Sequence, residues 1–232
     1  MTDIINDLRL LGSPEKAQHL QRYFKTGVGQ YAEGDIFWGL TVPLVRKTAR
    51  TYPDIDIQQL EQLLTHKVHE VRLCTLLIMV MKTKTTPEEI YNLYMAKTRF
   101  VNNWDLVDLS APTIVRNFLI NRDRSILYDL AQSKLLWDRR IAIISTYTFI
   151  KQGEHADTLQ IATLLLRDTH DLIHKATGWM LREVGKRCSR DIVENFLELH
   201  AATMPRTALR YAIEHMDSNK KTYFMQKKKF KE

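Results

Sequence analysis

The chain has 232 residues, 44% of them hydrophobic and 26% charged, and 34 Lys and Arg against 27 Asp and Glu give a formal charge of +7. This length supports one good core, or one continuous core shared by a row of repeats, and no apolar run approaches the roughly 18 to 20 residues that span a bilayer. Eight glycines and six prolines are few for this length, which argues against a turn-rich all-β chain, while the positive balance makes polyanions plausible partners.

The opening MTDIINDLRLLG carries acids and no small-residue cleavage site, so it does not read as a signal peptide. Ser13-Pro14-Glu15 is a helix start, a capping hydroxyl followed by proline at the first helical position. Ala17, Leu20, Tyr23 and Phe24 follow at helical spacing. The glycine-rich loop GVGQYAEGDIFWGL is not a phosphate-binding signature, because no GK[ST] or GxGxxG follows a strand. Pro43 opens a further helix, and Asp56 caps the one that runs through Leu63 and Leu64. HEVRLCTLLIMVMK is apolar around most of its circumference and is expected to be buried. Thr86-Pro87-Glu88-Glu89 combines a capping threonine with a glutamate three positions later.

RSILYDLAQ, LLWDRRIAIISTYTFIK, the segment around ADTLQIATLLL, HDLIHKATGWMLREVGK, RDIVENFLELH and PRTALRYAIEHM continue the helical series. The basic tail SNKKTYFMQKKKFKE reads as a solvated final helix or as a phosphate-contacting arm. No segment sustains period-two alternation. The expectation is an all-α chain, a curved α-α superhelix of helical-hairpin repeats recurring every 35 to 45 residues, in a single domain over residues 1–232. Cys74 and Cys188 form no disulfide framework, so a reducing cytoplasm is the default. Cys74 reads as a core residue, and the arginines beside Cys188 are expected to lower its pKa.

The stretch FVNNWDLVDLSAPTIV, residues 100–115, joins an indole, two carboxylates and a proline. A helix capped by Asn102 or Asn103 puts Trp104 and Asp108 on one face, with Leu106, Val107 and Leu109 turned to a core. An aromatic plate beside an anion suits a short-lived cation. Packing and macrodipole stabilisation explain the same residues without chemistry, and suffice for Asp105. In LLWDRRIAIIST, Trp137 and Arg140 share a face with Ile141 and Ile144, so Arg140 is expected to keep a wet guanidinium at the edge of an apolar stripe. In HKATGWMLREVGK, Lys175, Trp179 and Arg182 fall on a stripe beside the core positions Ile173, Thr177, Met180 and Val184. An indole between cations grips phosphate and sugar, although a packed aromatic with solvated neighbours explains each site taken singly. His170 and His174 lack a third ligand at useful spacing, so no metal is expected.

Three of these motifs in order, WDLVD at Trp104–Asp108, LLWDRRIAI at Leu135–Ile143 and HKATGWMLRE at His174–Glu183, resemble the DNA alkylation repair family of AlkD-type glycosylases with HEAT-like repeats. The likeness extends from GLTVPLVRK to PRTALRYAIEHM and is weakest in the N-terminal third. It implies a monofunctional, cofactor-free glycosylase that removes purines alkylated at ring position 3 or 7 from double-stranded DNA. It also implies a base engaged without flipping into a tight pocket. On this resemblance Asp108 is the catalytic aspartate, Trp104 and Trp179 hold the deoxyribose, and Arg140 supports them. Lys175, Arg182, Arg210 and Trp137 are candidate DNA contacts. The expected protein is a monomer with no membrane, metal or cofactor partner. A silent DNA-structure binder on the same fold and a helical-repeat protein adaptor are the alternatives.

Overall fold

The computed structural model describes residues 2–227. Among them the chain is all-helical, with one isolated parallel bridge between Ile36 and Val68 in place of any strand. Packing divides it into two compact units, one up to Ile120 and one from Asn121 onward. The sequence showed no linker there. The change comes at Asn121, which takes a left-handed conformation (φ 74°) directly after a helix cap, a role short polar side chains tolerate.

The first unit contains α1 (Thr2–Leu10), α2 (Pro14–Tyr23), α3 (Val42–Arg50), α4 (Ile57–Leu64), α5 (His69–Lys82), α6 (Pro87–Ala96) and α7 (Trp104–Leu119). As its composition requires, α5 is the core helix: every residue from His69 to Met79 is buried, and it packs against α3, α4, α6 and α7. Ser13 caps α2, and Asp56 caps α4 in a reciprocal capping box with Gln59. Thr86 departs from expectation. Its hydroxyl reaches back to the Lys82 carbonyl at 3.4 Å and makes no cap bond to α6. No residue of α2 is fully buried, and Leu20 and Tyr23, which share its helical spacing, border a recess.

The second unit contains α8 (Ser125–Ala131), α9 (Leu136–Ser145), α10 (Tyr147–Ile150), α11 (Ala156–Leu164), α12 (Asp171–Arg187), α13 (Arg190–His200), α14 (Arg206–Ala212) and α15 (Ser218–Gln226). The run expected as one helix over LLWDRRIAIISTYTFIK is two. The Ser145 and Thr146 hydroxyls bond the carbonyls of Ile141 and Ile143, drawing the backbone out of register between α9 and α10. At the centre α12 packs against α9, α11, α13 and α14. Gly178 permits the closest approach, since a Cβ there would lie 2.3 Å from the Ala208 carbonyl oxygen. The tail helix is anchored by buried Phe224 and by Lys227 on the Glu198 carboxylate; the rest of the tail, 228–232, lies outside the described residues.

Cys74 is fully buried, and burial pushes its thiol up to about 12. Burial also raises Cys188, the opposite of the lowering its arginine neighbours suggested.

Five helices start on a regular register: α5 at His69, α7 at Trp104, α9 at Leu136, α12 at Asp171 and α14 at Arg206, 32 to 35 residues apart. Leu73, Asp108, Arg140, Lys175 and Arg210 each occupy the fifth position of their helix.

Candidate active site

The start of α7 is fixed by Asn103, whose buried side-chain oxygen accepts the Trp104 N–H at 2.8 Å. Counting from that cap, Trp104 and Asp108 lie one turn apart on the same face. Both are half-buried, and both border a recess of about 780 Å³ within the first unit. Leu106 and Val107 are fully buried on the opposite side, as expected, whereas Leu109 borders the recess and not the core.

The recess is an aromatic chamber. Trp104 stacks on Phe24 with centroids 5.2 Å apart, Phe24 on Phe37 at 5.1 Å, and Phe37 on the imidazole of His69 at 4.4 Å. Tyr23 meets the indole edge-on at 6.0 Å. Leu20, Leu40, Leu73 and Leu109 supply apolar wall, while Glu15, Lys16 and His19 are exposed on the α2 side. Phe24 had drawn no functional reading from sequence, and Phe37 only that of a lesion-sensing contact in the N-terminal third, where the family likeness is weakest. Their placement depends on the loop between α2 and α3, where local spacing carries no helical signal.

Behind the rings lies a buried polar chain that joins residues 30 to 70 positions apart. His69 Nε2 donates to Asp105 Oδ2 at 2.8 Å, and Nδ1 lies 3.3 Å from Asp35 Oδ2. Arg72 donates to both oxygens of Asp35 at 2.8 Å and to Asn102 Oδ1 at 2.9 Å. Burial opposes charge on His69, but the Asp105 carboxylate outweighs it and the imidazole is pushed up to about 9, so it is a cation at neutral pH. Burial likewise opposes ionisation of Asp35, and the His69 hydrogen bond with the Arg72 charge overcomes it and holds the carboxyl below its usual value. Macrodipole stabilisation is therefore not the whole account of Asp105, which is only 6% exposed, borders the recess and has no partner for Oδ1.

Glu70 lines the same recess in another role. Its carboxylate accepts the backbone N–H groups of Trp38, Gly39 and Leu40 at 2.8 to 3.1 Å. The turn it organises needs Gly39, which has φ 87° and would carry a Cβ 2.1 Å from the Ser13 carbonyl oxygen.

In the second unit, Arg140 is 5% exposed and donates to the Leu172 carbonyl at 2.6 Å. It is therefore not the wet, stripe-edge arginine expected: Ile141 and Ile144 draw α9 deep into the core and the guanidinium goes with it. Trp137, expected as a DNA contact, is 8% exposed. Trp179 is half-buried, with its ring 6.0 Å from that of Tyr147. Ile173, Thr177, Met180 and Val184 form the buried stripe of α12. The cations flanking Trp179 are engaged: Lys175 pairs with Asp171 at 2.7 Å and Arg182 with Glu214. Arg210 is exposed. His170 caps α12 by accepting the Leu172 N–H, and His174 bonds the Asp168 carbonyl. No group of three His, Cys, Asp or Glu among the described residues has a metal-holding arrangement.

Residues 4–216 match the model of a family described as DNA alkylation repair enzyme. The fold is similar to a solved structure described as "Predicted DNA alkylation repair enzyme from Enterococcus faecalis", with a TM-score of 0.73 and 18% identity over 89% of this chain and 97% of that one. No curated protein matches. Among the described residues, no helix is long and apolar enough to cross a membrane.

Proposed function

Because the chain belongs to the DNA alkylation repair enzyme family, we propose that it is a DNA glycosylase that hydrolyses the N-glycosidic bond of purines alkylated at ring position 3 or 7 in duplex DNA. The observation that carries this reading is the pairing of Trp104 and Asp108, an indole and a carboxylate one turn apart on the edge of an aromatic recess.

Alkylation of a ring nitrogen makes the purine cationic and hence a good leaving group, so no general acid is needed. Departure of the base leaves an oxocarbenium-like sugar. The Asp108 carboxylate stabilises that charge and orients the attacking water. Trp104 and Trp179 hold the deoxyribose and add cation–π attraction as charge develops, an interaction gained mainly in the transition state. Arg140, fixed by the Leu172 carbonyl, has the supporting role. Lys175, Arg182 and Arg210 are the proposed backbone contacts. The regular helix register supports reading the chain as a row of helical-hairpin repeats of the HEAT-like kind.

The test is release of 7-methylguanine or 3-methyladenine from methylated duplex DNA. Asp108→Asn is expected to lower release about 100- to 1000-fold, the usual effect of losing an electrostatic group of this kind, while DNA binding persists. Unchanged activity in that variant removes Asp108 from the mechanism, and no release by the wild type removes the glycosylase reading.

A further inference from the structure

The chain around Trp104 is held from behind on both sides. Asn102 accepts from Arg72 at 2.9 Å and donates to Asp35 at 3.1 Å, while Asp105 accepts from His69 at 2.8 Å. Asn103, between them, is fully buried and caps the helix. The indole is braced through its ring as well. It stacks on Phe24, and Phe24 and Phe37 lie against the His69 imidazole at 5.2 and 4.4 Å. His69 therefore reaches Trp104 by two routes, through Asp105 and the backbone of α7, and through Phe24. Its main chain adds a third tie, an N–H donated to the Ile36 carbonyl at 2.8 Å, which holds the loop that carries Asp35 and Phe37.

Stability alone gives little reason for this arrangement. Asp35, His69, Arg72 and Asp105 are each at most 8% exposed, and well-packed apolar side chains of similar volume often serve a core as well or better, because desolvating charge is costly. What apolar packing lacks is direction. Hydrogen bonds between charged groups fix distance and angle, and these converge behind the one helical turn that carries Trp104 and leads to Asp108.

We propose that His69 is a positioning residue for the Trp104–Asp108 pair, fixing the first turn of α7 through Asp105 and the plane of the indole through Phe24 and Phe37. It acts on those side chains and not on the sugar. Its effect on rate rests on the glycosylase reading, whereas its effect on the order of the indole does not. A misplacement of about 1 Å at a reacting centre costs about 100-fold in rate.

The test reads the indole and the reaction separately in the full chain. His69→Phe combined with Asp105→Asn keeps a flat ring and strands no carboxylate. By NMR, the Trp104 indole N–H, identified as the signal lost in Trp104→Phe, is expected to drop in order parameter from about 0.85 to below about 0.6 in this double variant. Single-turnover release of 7-methylguanine from methylated duplex DNA is expected to slow about 100-fold, while duplex binding, set by phosphate contacts, changes little. His69→Gln still donates to Asp105 and is expected to lose less of both order and rate. Tyr128→Phe removes a hydrogen bond to Asp157 in the second unit and is the destabilised control, expected to keep both. Thermal melts establish that each variant folds, and if the double variant does not, His69→Gln decides alone, with order and rate below those of the wild type. An indole that stays ordered in the folded variant overturns the proposal. So does a loosened indole with an unchanged rate in an active protein, or equal slowing in Tyr128→Phe. No release by the wild type removes the glycosylase reading, and the indole measurement then decides the positioning role by itself.

Discussion

The imidazole of His69 lies between two carboxylates, 2.8 Å from Asp105 on one side and 3.3 Å from Asp35 on the other. Each ring nitrogen therefore has an acceptor, and only the doubly protonated ring satisfies both. Because its pKa is raised in the folded state, His69 contributes stability that is fully present below its unfolded value near 6.5 and is lost as pH rises through about 9. Thermal melts of the wild type are expected to fall across that window, by an amount worth a few kcal/mol. His69→Gln should flatten the decline, and a wild-type profile with no slope between those limits would contradict a charged His69.

Glu70 collects three consecutive backbone N–H groups on one carboxylate. Glu70→Gln keeps the volume and leaves one oxygen to accept all three N–H groups at the Oε1 position, but it removes the negative charge that strengthens those bonds and sets an NH2 against the Trp38 N–H. The expected cost is about 2 to 3 kcal/mol, measured by urea denaturation. Equal stability of the two proteins would mean that the turn is held by other means.

Gly39 forms part of the same turn. Alanine there meets both an unfavourable φ of 87° and a carbonyl oxygen at 2.1 Å. Gly39→Ala is expected to destabilise by at least about 2 kcal/mol, whereas Gly34→Ala, also at positive φ but with open space around it, should lose less. Comparing the two midpoints separates steric from conformational cost.

Gly178 tests the second unit. In most helix interiors a glycine-to-alanine change gains about 1 kcal/mol, but here the added methyl would lie 2.3 Å from the Ala208 carbonyl oxygen and 2.5 Å from the Tyr211 Cβ. Overpacking of this kind costs about 1 to 3 kcal/mol, and backbone on one side leaves little to yield. Gly178→Ala should therefore lower the melting temperature, and a rise would show that α12 and α14 separate freely.

With a formal charge of +7, DNA binding through phosphate contacts should weaken steeply as salt is raised. Fluorescence anisotropy with duplex DNA at several salt concentrations measures the slope. A flat dependence would favour a protein partner over a nucleic acid.

Much of the fold is written in local chemistry. Ser13, Asp56 and Asn103 announce their helices because a cap is decided within four residues, and the unbroken apolarity of His69–Lys82 announces a buried helix. Thr86 misled because its hydroxyl had a second acceptor in the preceding turn. Within the site, Trp104 and Asp108 were legible as neighbours on one helix. The His69–Asp105–Asp35–Arg72 chain was not, since its members meet only through tertiary packing across some 30 residues of sequence. Arg140 was misjudged for a related reason: a face drawn on a helical wheel does not say how deeply the helix sinks.

The fifth positions of α5, α7, α9, α12 and α14 carry Leu73, Asp108, Arg140, Lys175 and Arg210, in turn greasy, anionic and three times cationic. Leu73 and Arg140 are buried there, whereas Asp108, Lys175 and Arg210 keep some or all of their exposure, so substitution at that position is cheap only where it is not packed. The interval recurs along the chain while the residue type found at that position differs from one helix to the next.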